Sequence, residues 1–160
     1  MSAQTSYSLG IRAALAGMIY ALHPDTINSY ACETEAGIPF GVAVARGTDP
    51  EKQVVLAGSA DFLGISIRSL EREGVANTGA IKYSQNETVG VMEEGYIYAV
   101  CPSGCSPEDP VKYTDGTGVL DSGAAGVGET SVDGAVWVST TVAGEVGIIN
   151  LYGRGSTAGA

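Results

Sequence analysis

The chain has 160 residues, with 18 Asp and Glu against 8 Lys and Arg and a formal net charge of -10. A chain of this length can bury a core that needs no metal or disulfide. Its basic residues are scattered singly, which excludes a protein that grips nucleic acid by displacing counterions with clustered Lys and Arg. The same charge disfavours an anionic membrane surface, and the longest uncharged apolar run, Ala13 to Leu22, is half the length of a spanning helix.

The N-terminal stretch carries two signals. From Leu9 to Leu22, the residues Ile11, Leu15, Met18, Ile19 and Leu22 recur at helical spacing while Gly10 and Gly17 oppose a helix, so the segment reads as helical or extended. An apolar run after Arg12 also has the length of an export-signal centre. Eleven uncharged residues precede Arg12, however, and His23-Pro24-Asp25 stand where a small-x-small cleavage site belongs, so cytosolic synthesis is expected. Residues 1–20 are read as an N-terminal arm and 21–160 as a single β-rich domain.

Beyond the arm, a period of two dominates. Thr26 to Ala31 and Gln53 to Leu56 are candidate strands. In Phe40 to Ala45, and again in Leu63 to Arg68, large side chains alternate with small ones, as in half-buried strands. Leu70 to Ala76 suits one helical turn. Thr88 to Met92, Tyr96 to Val100, Val111 to Tyr113, Ala135 to Thr140 and Glu145 to Leu151 are rich in β-branched or aromatic residues. Glu93-Glu94-Gly95, Asp115-Gly116 and Ala143-Gly144 predict tight turns between antiparallel neighbours. Asp121 to Ser131 is glycine-rich and reads as a long surface loop. The expected fold is all-β, a jelly-roll-like sandwich or small β-barrel with an N-terminal arm.

Candidate chemistry is sparse. His23 is the sole histidine, next to Asp25, but no nucleophile-elbow pattern accompanies it, so it reads as a solvated loop residue. Gly123 to Gly128 has neither dinucleotide nor P-loop spacing. Asp115, Asp121 and Asp133 lie too far apart for a helix-loop-helix calcium site. Cys101 and Cys105 could join Cys32 and His23 around zinc, against the simpler reading of three small buried thiols. The pairs Glu93-Glu94 and Glu108-Asp109 are candidates for glycosidase carboxylates, yet neighbours in a strand point apart. Trp137, between Val136 and Val138, suits a core or interface anchor. No catalytic residue, metal or cofactor is expected.

The segments Gly37-Ile38-Pro39-Phe40-Gly41-Val42-Ala43-Val44, Phe62 to Ile67, Thr88 to Tyr98 and Glu108-Asp109-Pro110-Val111-Lys112-Tyr113, in that order, resemble the structural cement proteins of tailed bacteriophages. The resemblance runs from about Gly17 to Leu151. It implies a β-rich jelly-roll-like fold, self-association into a homodimer or homotrimer, and no enzyme activity. It also implies that the protein decorates the outside of the virion, bridging major capsid protein subunits across capsomer junctions. Pro39, Phe40 and Gly41 match a motif read as the start of a strand. Exposed strand edges recruit partners, so Tyr7, Leu9 and Ile11 of the arm are candidate interface residues. The competing classes are a carboxylate-dependent hydrolase and a secreted β-rich adhesin or envelope subunit.

Overall fold

The computed structural model describes residues 14–21, 24–59, 62–69 and 81–152, and among these there is no helix. Five strands close a barrel in the order β1 (Thr26–Cys32), β4 (Gln53–Leu56), β3 (Ala43–Arg46), β5 (Gly64–Ser66) and β7 (Thr88–Glu94). β1 runs parallel to β4 and every other pairing is antiparallel. Closure leaves the barrel without edges. A five-stranded antiparallel sheet packs on its side, in the order β10 (Leu120–Ser122), β9 (Pro110–Thr114), β11 (Glu129–Trp137), β12 (Glu145–Asn150) and β8 (Tyr96–Cys101). A two-stranded ribbon of β2 (Ile38–Pro39) and β6 (Lys82–Tyr83) completes the fold. Of the two expected architectures the barrel is realised, with a second sheet against it.

Alternation along the strands builds two cores. Val44, Val54, Val89, Val91, Tyr30 and Cys32 fill the barrel, joined by Ile38, Phe40, Leu63 and Tyr83. The ring of Phe40 meets that of Tyr83 edge-on at 5.1 Å, the Arg68 guanidinium lies over Phe40, and the Tyr83 hydroxyl donates to the Ile67 carbonyl. Ala43, Ala45, Ile65 and Met92 face the other way, onto Ile97, Val111, Tyr113, Trp137 and Ile149 of the second sheet. In β3 the small residues Ala43 and Ala45 of the alternation are those over which the second sheet sits, whereas β5 presents the large Ile65 to it. The β9–β10 loop reaches the barrel too: the Ala43 amide donates to the Gly118 carbonyl at 2.8 Å, with Gly118 at φ +67°.

Several sequence readings need correction. Phe40 and Gly41 form a turn, and the strand runs over Ala43–Arg46. Asp121 and Ser122 belong to β10 and β11 begins at Glu129, so only residues 123–128 of the expected loop remain. Glycine richness hid these strand ends. The Glu93-Glu94-Gly95 turn does not make a hairpin, because β7 already has β1 and β5 on its two sides. At Gly95 (φ +138°) the chain instead leaves the barrel for the second sheet. Asp115-Gly116 does turn β9 into β10, and Ala143-Gly144 lies between β11 and β12. The region 70–76 lies outside the described residues.

Asp121 ties β10 to the loop after β8. Its carboxylate accepts from the Ser103 hydroxyl at 2.8 Å, the Ser103 and Ser122 amides, and the Cys101 thiol at 3.4 Å. Burial raises its pKa, but these hydrogen bonds outweigh burial and hold it below the usual carboxylate value. A depressed folded-state pKa adds stability that is present above the unfolded value and disappears as pH falls through the folded one. Asp121→Asn is therefore expected to cost about 1 kcal/mol near neutrality, discounted for partial exposure. Its deficit should shrink between about pH 5 and about pH 2. Thermal melts across that range test this, and a deficit independent of pH would contradict it.

A candidate interaction face

The arm was expected to pair with a neighbouring subunit through Tyr7, Leu9 and Ile11; its described part lies along an edge of its own chain. Gly17 and Tyr20 donate backbone hydrogen bonds to the Tyr98 and Tyr96 carbonyls, and the Tyr98 amide donates to the Met18 carbonyl. With the Ile19–Ile97 bridge, residues 17–20 line the edge of β8 as a short extended strip. Residues 14–21 thus contain no helix: a turn closes from Leu15 to Met18, and the chain then runs along β8 to Tyr20. Tyr7, Leu9 and Ile11 lie outside the described residues, as does His23.

Strand pairing collects an uncharged surface on the outer side of the second sheet. The directly opposed pairs Tyr96–Asn150, Tyr98–Ile148 and Val100–Val146 share that side. Val136, opposite Asn150, continues it onto β11. Tyr20 extends it onto the arm, its ring centroid 5.6 Å from that of Tyr98 and 6.1 Å from that of Tyr96. Tyr152 packs edge-on against Tyr96 at 5.4 Å, and its hydroxyl donates to the Pro24 carbonyl. Burial, and then the neighbouring Asp25, push the Tyr152 pKa above its ordinary value. The intervening residues Ile97, Ala99, Gly147 and Ile149 are buried against the barrel side. Along the outer row Val100 is 37% exposed and Tyr20 47%, while Tyr98, Val146 and Ile148 are half-buried.

This face was missed in the sequence, although a signal for it exists. In β9 the apolar residues Val111 and Tyr113 alternate with Lys112, the pattern of a sheet with one wet side. Tyr96 to Val100 and Val146 to Ile149 hold no charge at either parity, which is the pattern of strands covered on both sides.

The other candidates fall elsewhere. Cys32 lies in the barrel core, whereas Cys101 and Cys105 lie in the core between the layers, so the three do not converge. All three thiols are free and buried. Burial, ahead of the neighbouring Asp121, pushes Cys101 up to about 11, keeping it protonated at neutral pH. Among the described residues no group of three or more His, Cys, Asp or Glu side chains gathers as metal ligands. Glu93 and Glu94 were expected to point apart, but a register shift at Thr26/Ile27 brings both to one row of β1. Glu93 accepts from Asn28 at 2.9 Å and from the Tyr30 hydroxyl at 2.7 Å, and Glu94 accepts from Thr26 at 3.3 Å. Glu108 carries φ +71° in a turn where the Asp109 carboxylate accepts from the Ser106 amide. Trp137 is a core anchor, fully buried, with its indole N–H donating to the Asp121 carbonyl at 3.2 Å.

A family model described as "Structural cement protein (E217 gp24/Pam3 gp6)" matches residues 3–152. A chain in the solved structure "The capsid of Myoviridae Phage XM1" shares the fold with a TM-score of 0.70, at 16% identity, over 96% of this chain and 99% of that one. No curated protein matches.

Proposed function

The chain belongs to the structural cement protein family, and from that premise we propose that it binds the outer surface of a tailed-phage icosahedral capsid. There it bridges subunits of the major capsid protein and strengthens the shell against the pressure of packaged DNA. The observation that carries this reading is the family match over nearly the whole chain. Packaged DNA loads a shell held by many weak contacts, and a protein that spans several subunits adds area that must part before the shell ruptures. Several linked contacts hold far more tightly than any one alone. The protein acts as a homodimer or homotrimer, is made in the host cytoplasm, and turns over no substrate. Its net charge of -10 suits a location away from the genome and keeps the free protein soluble before assembly.

Tyr7, Leu9 and Ile11 are proposed to pair with a neighbouring subunit through the arm. The test is sedimentation of purified protein with expanded and with unexpanded capsids that lack it. Full-length protein is expected to pellet with expanded capsids and to remain largely in the supernatant with unexpanded ones. Deletion of residues 1–12 should weaken pelleting. Protein that stays soluble with both capsid forms would reject capsid binding, and a deletion variant that binds as well as full-length protein would reject the role of the arm.

A further inference from the structure

We propose that the outward edge of β1 at Ile27 and Ser29 receives an added strand, an extended segment of a capsid subunit that carries Lys or Arg. The inference rests on the capsid binding in the reading above and names the backbone through which it is made.

The first ground is hydrogen bonding. β4 pairs with β1 only at Ala31 and Cys32, where the barrel closes, while β7 pairs with it from Thr26 to Ala31. β1 and β7 therefore run past the closure as a two-stranded ribbon. Every second residue of a strand turns its N–H and C=O to the same side. Ala31 turns its own toward β4, donating to the Lys52 carbonyl at 2.7 Å, so Ile27 and Ser29 turn theirs the same way, short of where β4 begins. Among the described residues nothing pairs with these groups, and Thr26 to Ser29 are all exposed. An edge of this kind is completed by another strand, main chain to main chain.

The second ground is composition. Exposed edges are ordinarily blunted by lysine, proline or a bulge that twists them away. From Thr26 to Tyr30 there is neither charge nor proline, and the register shift at Thr26/Ile27 falls on the β7 side. Ile27, 41% exposed, offers an incoming strand an apolar neighbour.

The third ground is charge, and it selects the partner. Glu93 and Glu94 of β7 share a row with Thr26, Asn28 and Tyr30, one strand in from the edge. Their hydrogen bonds come from neutral groups, and among the described residues no cation pairs with either. Arg46, near the Tyr30 hydroxyl, turns its guanidinium to the Pro50 carbonyl at 2.6 Å. Neighbouring strands lie about 4.8 Å apart, so a Lys or Arg on an incoming strand reaches these carboxylates across β1. A second copy of the edge would bring more carboxylates and be repelled, whereas a basic segment is drawn in.

The test is titrated pelleting with expanded capsids of the full chain and of Ser29→Ala, Ser29→Pro and Glu94→Lys, together with amide exchange of the wild-type protein, free and bound. Near-ultraviolet circular dichroism of the single Trp137 serves as a folding control. Ser29→Pro removes the outward N–H and leaves the β7 ladder whole, so it should weaken binding about tenfold or more. Ser29→Ala keeps that N–H and should bind as the wild type does. Glu94→Lys should weaken binding about fivefold. The amides of Ile27 and Ser29 should exchange fast in the free protein and slowly on the capsid. Unprotected amides there, or a folded Ser29→Pro that binds like the wild type, would overturn the edge; should Ser29→Pro misfold, exchange decides. Protection at the edge with undiminished binding by Glu94→Lys would overturn the basic character of the partner. Wild-type protein that does not pellet overturns the capsid reading and this inference with it, whereas wild-type pelleting with unaffected variants overturns the edge alone.

Discussion

Replacing Trp137 with alanine is expected to lower stability by about 3–5 kcal/mol, the usual cost of emptying a large aromatic from a closed core. Trp137 is fully buried among Ile97, Val111, Tyr113 and Ile149, where the second sheet meets the barrel. Its indole N–H satisfies the Asp121 carbonyl, so the substitution also removes a donor from β10. Gly147 sits against the indole ring and has no side chain with which to fill the space left behind. For a chain of this size the loss corresponds to a fall in melting temperature of roughly 10 °C or more. Thermal unfolding followed by far-ultraviolet circular dichroism measures it. A loss below about 1 kcal/mol would mean that the inter-layer core does not close around this side chain.

A second large effect is expected at Gly118, and a neighbouring glycine provides its control. A Cβ on Gly118 would stand 2.3 Å from the Ala43 carbonyl oxygen, a contact that only backbone movement relieves, and the residue sits at φ +67°. Movement would break the bond from the Ala43 amide to the Gly118 carbonyl, by which the β9–β10 loop grips β3. Gly116 has a similar conformation, φ +79°, with nothing within 4 Å of the place a Cβ would take. Gly116→Ala should therefore cost only the left-handed backbone penalty, about 1 kcal/mol, and Gly118→Ala about 3 kcal/mol. Chemical denaturation of both variants reads the difference as the price of the collision. Equal losses would show that the loop does not press on β3. Faster amide exchange at Ala43 should accompany the larger loss.

The two effects share a consequence for the proposed function. A protein that acts through the area it covers depends on the relative placement of its faces. Here that placement is set by the small residues Ala43 and Ala45, by Gly118, and by the tryptophan between the layers.

Much of the strand content was legible from local pattern, because alternation and β-branching act over a few residues. Gln53 to Leu56 is a strand at the expected bounds, and Thr26 to Ala31, Tyr96 to Val100 and Val111 to Tyr113 each extend by a residue or two. The cement-family resemblance was legible as well, from short motifs in a fixed order. What local pattern does not contain is the partner of each strand. Glu93-Glu94-Gly95 looks like a hairpin turn from either side, and only the closure of β7 between β1 and β5 sends the chain into another sheet. Likewise the two short strands at Ile38–Pro39 and Lys82–Tyr83 exist because they find each other across more than forty residues. The interaction face has the same origin. Its uncharged strands were visible one at a time, but which of their two sides meets the barrel, and which is left to meet something else, was decided by the pairing of β8 with β12 and the packing of that sheet around Trp137.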